Sequence, residues 1–173
     1  MLDKNSVSNR KEFEYELLEF AELQRIDGPT RFYVTPEGKK YPSVTAVLGK
    51  MTDKSGLEAW RKRVGETEAA RVSARASTRG TNVHTMCENY VLGSDIDTSM
   101  PHNMMMFNQI KKVLDEKVDM VRATECMLFS NHLKLAGSCD LIADYDGRLS
   151  IIDYKTSAKL KRKDWIEDYF LQT

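Results

Sequence analysis

Between Met120 and Tyr154 the chain reads as three β-prone segments in quick succession, roughly Met120 to Ser130, Leu135 to Asp144 and Arg148 to Tyr154. Asn131-His132 and Asp146-Gly147 part them, and Asp-Gly is a strong signal for the tight turn of a hairpin. The segments predict an antiparallel meander, and the rest of the chain has to be laid against it.

Upstream, RFYVTPEGKKY from Arg31 to Tyr41 places Pro and Gly where a turn between two short strands needs them. The following YPSVTAVLG opens a helix with Ser43 or Thr45 as its cap. From Gly56 to Val91 helix formers dominate, and the interruptions at Gly65 and Gly80 predict two or three consecutive helices, the last from about Thr78 to Val91. Asn103 to Lys117 predicts another, with Met105, Phe107, Ile110, Val113 and Leu114 for a buried face and the Met104-Met105-Met106 run as core filling. After Lys155 the chain turns basic and then helical, with Asp164 as cap and Trp165, Ile166, Tyr169 and Phe170 as an apolar face. This order of elements predicts an α/β (α+β) sandwich around a central mixed sheet, the meander being flanked by helices.

With 173 residues, 41% of them apolar and 30% charged, the chain has the composition of a single soluble domain. We expect an N-terminal acidic segment over residues 1–30, carrying Glu12, Glu14, Glu16, Glu19 and Glu22, followed by the folded domain over 31–173. The formal net charge is zero, so any affinity for nucleic acid must come from local basic clusters, at Arg61 to Arg79 and Lys155 to Lys163. Cys87, Cys126 and Cys139 form no Cys-x-x-Cys pair, which argues against a disulfide framework or a structural zinc site and for a reducing compartment. No apolar run approaches a membrane span, and Met1 to Arg10 lacks the character of a targeting peptide, so the expected location is cytoplasmic.

Chemistry concentrates on the meander. Asp140 lies on its second segment and Asp153 near the end of its third, and adjacent antiparallel strands can set two such positions side by side. Two ionised carboxylates repel, and a divalent cation is the usual way to keep them together at neutral pH; oxygen ligands favour magnesium or manganese. Lys155, two residues beyond Asp153, points to the same face of an extended strand, where its ammonium would orient an attacking water and offset charge on a phosphate. Asp-x-Lys alone also describes an ordinary exposed strand pair. The apolar Ile151-Ile152 and Leu141-Ile142-Ala143 beside these acids make the functional reading the cheaper one, because unpaired charge is costly there.

GSCD at Gly137 to Asp140 and IIDYKT at Ile151 to Thr156 resemble the paired signature of PD-(D/E)XK nucleases. RecB-like members of that superfamily add an upstream Gly-x-x-x-His, matched by GTNVH from Gly80 to His84, and a first-strand glutamate, matched by Glu125. The resemblance implies a restriction-endonuclease-like core. It also implies metal ligation by His84, Asp140, Asp153 and the main-chain carbonyl of Tyr154, service of the attacking water by Lys155, and a secondary role for Glu125. The stretch from Arg31 to Gly49 is similar to one in the mitochondrial genome maintenance exonuclease group and its phage relatives, where it helps to hold single-stranded DNA. Ser43 and Thr45 become candidate DNA contacts on that ground, although capping a helix explains them equally well. RecB-like nucleases also carry Gln-x-x-x-Tyr after the catalytic strand. Gln172 supplies the first position as a DNA-contacting residue, and the sequence stops at Thr173, so the domain is expected to be truncated at its C-terminus.

Arg71, Arg75 and Arg79 recur every four residues and would form a basic stripe leading to the Gly80 to His84 motif, unless they are a solvated face balanced by Glu66 and Glu68. Lys159, Lys161, Arg162 and Lys163 make a second cluster, with Thr156 and Ser157 as phosphate donors between the two. Together these readings predict a Mg2+- or Mn2+-dependent DNA exonuclease. It would act on single-stranded DNA or DNA ends in replication, recombination or repair, in a bacterial host or phage-infected cell. A non-cleaving DNA-binding module with the same fold is the alternative, and a protein-interaction domain built on the acidic N-terminal segment explains the charges but not the ordered acids.

Overall fold

The computed structural model describes residues 10–158 and 166–172. The meander forms as the sequence implies: β5 (Val118–Ser130), β6 (Leu135–Tyr145) and β7 (Arg148–Ile152) pair antiparallel in that order. Asp146 and Gly147 both take positive φ, 47° and 73°, the backbone that a two-residue hairpin turn demands at its two central positions. The third strand is shorter than expected. It leaves the ladder at Asp153 because the next backbone N–H, that of Tyr154, donates to the Asp140 side chain at 2.5 Å instead of to a neighbouring strand.

The acidic N-terminal stretch joins this sheet. β1 (Glu14–Tyr15) lies parallel to β5, with Glu14 beside Met120, which makes the four-stranded sheet mixed, in the order β1-β5-β6-β7. Period-two alternation explains how so charged a segment docks: the glutamates at 12 and 14 stay in water while Phe13 between them is buried, its ring edge-on to Tyr90 at 5.7 Å. Arg122 ties the strands laterally, from Glu16 at 2.5 Å to Asp144 at 2.9 Å.

A second, three-stranded antiparallel sheet contains β2 (Gln24–Ile26), β3 (Phe32–Val34) and β4 (Lys40–Pro42). The last two are the hairpin read from Arg31 to Tyr41, whose turn uses Gly38 at φ 78°. Tyr33 and Tyr41 of this sheet, with Leu23 just before it, cover Ala136, Met127 and Phe129 at the far end of β5 and β6, and Ser43 bridges in parallel to Ala136. Ser43 is buried and caps α1 (Val44–Met51), its hydroxyl accepting from the Ala46 N–H at 3.1 Å.

Gly65, at φ 84°, separates α2 (Ser55–Val64) from α3 (Glu66–Val91). The expected second break at Gly80 does not occur, and α3 runs through it for 26 residues. A helical glycine costs about 1 kcal/mol against alanine, which a long packed helix absorbs, whereas a positive-φ glycine ends one outright. α4 (Pro101–Lys117) starts with proline at its first position and buries Asn103, Met106, Phe107 and Leu114. Met105 and Val113, expected inside, are exposed, so one residue of the methionine run fills the core and another does not. Apolar residues occupy more than one arc of this helix, and only contact with the sheet selects the arc that is buried.

Both helices end on the N-terminal segment. Arg10 donates to the carbonyls of Asn89 and Tyr90 at 2.5 Å and of Ser94 at 2.9 Å, at the end of α3. Lys11 donates to those of Asp115 at 3.0 Å and Val118 at 2.5 Å, at the end of α4. Cations thereby satisfy carbonyls that no further turn can reach, at the negative ends of both helix dipoles. The main core, with Val83, Cys87, Tyr90, Phe107, Leu114, Val121 and Leu141, lies between these helices and the sheet. α5 (Glu167–Phe170) is a short helix near the end of the described residues. The expected cap Asp164 and Trp165 fall outside the described residues.

If the N-terminal stretch is integral to this core, Phe13→Ala should cost about 3–5 kcal/mol, as for other buried aromatics. Urea unfolding measures it, and Leu17→Ala on the same stretch, 69% exposed, should stay within about 0.5 kcal/mol of the parent.

Candidate active site

The geometry of the site begins with a defect shared by two strands. Ala123, Cys126, Cys139 and Ile142 pack in one cluster although each strand contributes residues three apart, a spacing that puts side chains on opposite faces of a regular strand. The alternation is therefore broken in both. In β5 the break is visible at Glu125, which holds φ 46°, and the register places it between the pairs Thr124↔Leu141 and Cys126↔Cys139, opposite Asp140. Left-handed backbone at a residue other than glycine costs of the order of 1–3 kcal/mol and persists only where the surroundings impose it.

The third member comes from α3. Val83, Met86, Cys87 and Tyr90 form its buried stripe, and His84 at the border of that stripe faces β6. Its Nδ1 lies 3.2 Å from Asp140 Oδ1, and its ring packs edge-on against Tyr154 at 5.8 Å. The other Asp140 oxygen accepts from the Tyr154 N–H, so the carboxylate is held from two sides. One ligand atom each from His84, Glu125 and Asp140 lies within 4.8 Å of the others.

Asp153 stands opposite Asp140 by register, one step beyond the pair Leu141↔Ile152. Its carboxylate is turned elsewhere: it forms an ion pair with Lys155 and accepts from Gln172 Nε2 at 3.5 Å. Lys155 Nζ also lies over the Tyr169 ring, 5.6 Å from its centroid. The close trio thus contains Glu125 in the place where Asp153 was expected beside Asp140 and His84.

Charge accounts for the titration behaviour. The hydrogen bond that His84 donates to Asp140 raises the imidazole above its ordinary value, aided by the charges of Asp140 and Asp153 and opposed by burial and by Lys155. Partial burial raises the Glu125 carboxyl, with Asp140 and Glu88 adding to it and His84 opposing. Burial likewise raises the Tyr154 phenol and pushes the Cys87 thiol up to about 12. Glu88, one helical turn beyond His84, is a member of this electrostatic group that the motifs did not single out. Its i+4 spacing from His84 was the available signal.

The donor set suits a divalent cation. It offers one imidazole and two carboxylates in reach of a common centre, and a cation would relieve both the burial of the Glu125 charge, which raises it most, and the repulsion from Asp140 that adds to this. A charged trio of this kind at a strained strand position makes these residues the candidate site.

The remaining residues singled out by sequence fall into two groups. Thr45 and Gln172 line a cleft of about 420 Å³ that ends at Asp140 and Asp153, and Thr156 approaches α3 at Gly80, where a β-carbon would stand 3.6 Å from its hydroxyl. Ser43 is committed to its helix cap, Arg71 is paired with Glu68, and Arg75 is exposed on α3. Arg79 Nε is buried with no partner, and Ser157 adjoins Thr156. Lys159, Lys161, Arg162 and Lys163 lie outside the described residues.

Residues 101–173 match the family model described as the PD-(D/E)XK nuclease superfamily. The chain is 30% identical to human mitochondrial genome maintenance exonuclease 1 over 129 residues, 69% of this chain and 38% of that protein. It is 29% identical to the Xenopus tropicalis protein of the same name over 138 residues, 75% of this chain and 39% of that one. The chain thus spans under two-fifths of the length of these relatives. The C-terminal part of the chain, residues 101–173, which carries the meander and Asp140, Asp153 and Lys155, is thus similar to the PD-(D/E)XK nuclease superfamily.

Proposed function

We propose that the chain is the catalytic core of a metal-dependent DNA exonuclease that hydrolyses phosphodiester bonds in single-stranded DNA or at DNA ends. The observation that carries this reading is the convergence of His84, Glu125 and Asp140, with the Asp153–Lys155 pair at the next register position. The exonuclease name of the relatives supports action from an end, and the similarity of residues 31–49 to that group supports a single-stranded substrate. A setting in phage or bacterial DNA replication, recombination or repair belongs to the same proposal. No helix among the described residues is long and apolar enough to cross a membrane.

In this mechanism His84, Glu125 and Asp140 would hold a magnesium or manganese ion, and Asp153 and the Tyr154 carbonyl would be further candidate ligands. Such an ion supplies Lewis-acid stabilisation of phosphate charge and makes water a stronger acid. The chain's own groups do the positioning. The Tyr154 N–H fixes the orientation of Asp140, and the T-shaped contact with Tyr154 fixes the His84 ring. Asp153 anchors Lys155, whose ammonium orients the attacking water and offsets the charge that builds on the phosphate. Thr45, Thr156, Ser157, Gln172 and the arginines at 71, 75 and 79 are the candidate contacts to the strand.

Digestion of an end-labelled single-stranded oligonucleotide with Mg2+ or Mn2+ tests the reading. Asp140→Ala and Lys155→Ala should each lower kcat by about 10²–10³, the loss expected when one preorganised charge-stabilising group is removed. Full activity in either variant overturns the assignment, and retained DNA binding without any cleavage by the parent favours the non-cleaving module.

The raised His84 and Glu125 groups add a pH prediction. Both must lose a proton to hold a cation, and both keep it to higher pH than isolated side chains do. Mn2+ affinity, measured by calorimetry, should therefore fall as pH is lowered through the raised values, approaching about tenfold per pH unit for each proton displaced. Glu125→Gln should flatten that slope, and an affinity that does not change with pH removes these groups from the ligand set.

A further inference from the structure

The two cysteines beside the strand defect play no part in the mechanism above. Cys126 and Cys139 are cross-strand partners in the β5–β6 ladder, and their sulfur atoms stand 3.2 Å apart. Antiparallel partners have Cα atoms about 4.5–5.5 Å apart, inside the range of roughly 4.4–6.8 Å that disulfides occupy. A bond of about 2.05 Å asks the sulfurs to close by only about an ångström. Each cysteine adjoins a carboxylate of the metal group in sequence: Glu125 precedes Cys126 and Asp140 follows Cys139.

We propose that Cys126 and Cys139 are a redox modification site, at which low-molecular-weight disulfides such as glutathione disulfide install a cross-strand link that misaligns Glu125 and Asp140. The chemistry follows from exposure. Cys126 is half-buried and Cys139 buried, so Cys126 reacts first. Its sulfur, having given its proton to solvent, attacks one sulfur of glutathione disulfide, and one glutathione leaves as the thiolate. The Cys139 thiol then attacks the Cys126 sulfur of the mixed disulfide and expels the second glutathione, which takes up the Cys139 proton as it leaves. Two protein thiols are oxidised and one glutathione disulfide is reduced to two thiols. Cys87 is fully buried on the opposite, helix-covered side of the sheet and takes no part.

The link acts through the backbone. Glu125 is held at φ 46° and Asp140 from two sides, so the torsional adjustment that brings the sulfurs together passes into the adjoining backbone of two ligands that must be placed within about half an ångström. A misplacement approaching an ångström lowers turnover by as much as about 100-fold. This consequence for cleavage rests on the proposed nuclease function, whereas formation of the link does not.

The full chain, reduced and then incubated with glutathione disulfide, should lose the mass of two hydrogens and give a Cys126–Cys139 peptide on mapping. Its Mn2+ affinity and its Mg2+-dependent cleavage of a single-stranded oligonucleotide should both fall, cleavage by about 10–100-fold, and dithiothreitol should restore both. In Cys126→Ser and Cys139→Ser the ratio of activities with and without glutathione disulfide should be close to one. Absence of the link, a link through Cys87, or a linked protein with unchanged Mn2+ affinity overturns the proposal. Should the reduced protein cleave no DNA, the nuclease reading fails, while the mass and Mn2+ measurements still decide the modification.

Discussion

A glutamate in left-handed backbone in the middle of a 13-residue strand has to be held there, because neither its intrinsic preference nor the ladder favours it. The same position breaks the alternation of side chains in β5, and β6 shows a matching break between Cys139 and Ile142. Without that paired defect the two strands would continue their regular alternation past the site, and the cluster of Ala123, Cys126, Cys139 and Ile142 would not form on one face. With it, Glu125 and Asp140 meet His84 at the border of the main core. The strain is localised, and what opposes it is the packing of a long helix on one side of the sheet.

That helix is placed by its ends. α3 is fixed at its C-terminus by Arg10 and α4 by Lys11, both from the segment that also inserts Phe13 between Tyr90 and the sheet. His84 lies within two turns of the end that Arg10 caps, so the N-terminal segment acts on the position of the imidazole through the helix rather than by contact. Burial of the stripe Val83, Cys87, Tyr90 then sets the rotation of the helix, and rotation decides that His84 and Glu88 face the strands.

Much of this was legible in the residues. The meander followed from three apolar segments and Asp-Gly, whose two positive φ values explain why that dipeptide was informative. Asp140, Asp153 and Lys155 were readable from their places on the meander, whereas Gly80, His84 and Glu125, inside a helix and a long strand, were singled out only by resemblance to RecB-like nucleases. The docking of residues 10–15 was hidden by their charge, since one buried Phe13 among glutamates leaves little hydrophobic pattern. The buried arc of α4 was misread for the opposite reason, because Met105 and Val113 are as apolar as the residues that do pack inside.

The sequence by itself determined the order of elements, the turn at Asp146-Gly147 and which side chains are candidates for the chemistry, because backbone preference and residue type are local properties. Only the tertiary structure decided how those side chains are grouped. Sequence placed Asp140 beside Asp153, and register agrees, yet the carboxylate that closes on His84 and Asp140 is that of Glu125, while Asp153 is drawn to Lys155 and Gln172. A local pattern says which face a side chain leaves from. Where two strands bend together, the direction in which it finally points depends on contacts between residues far apart in the chain.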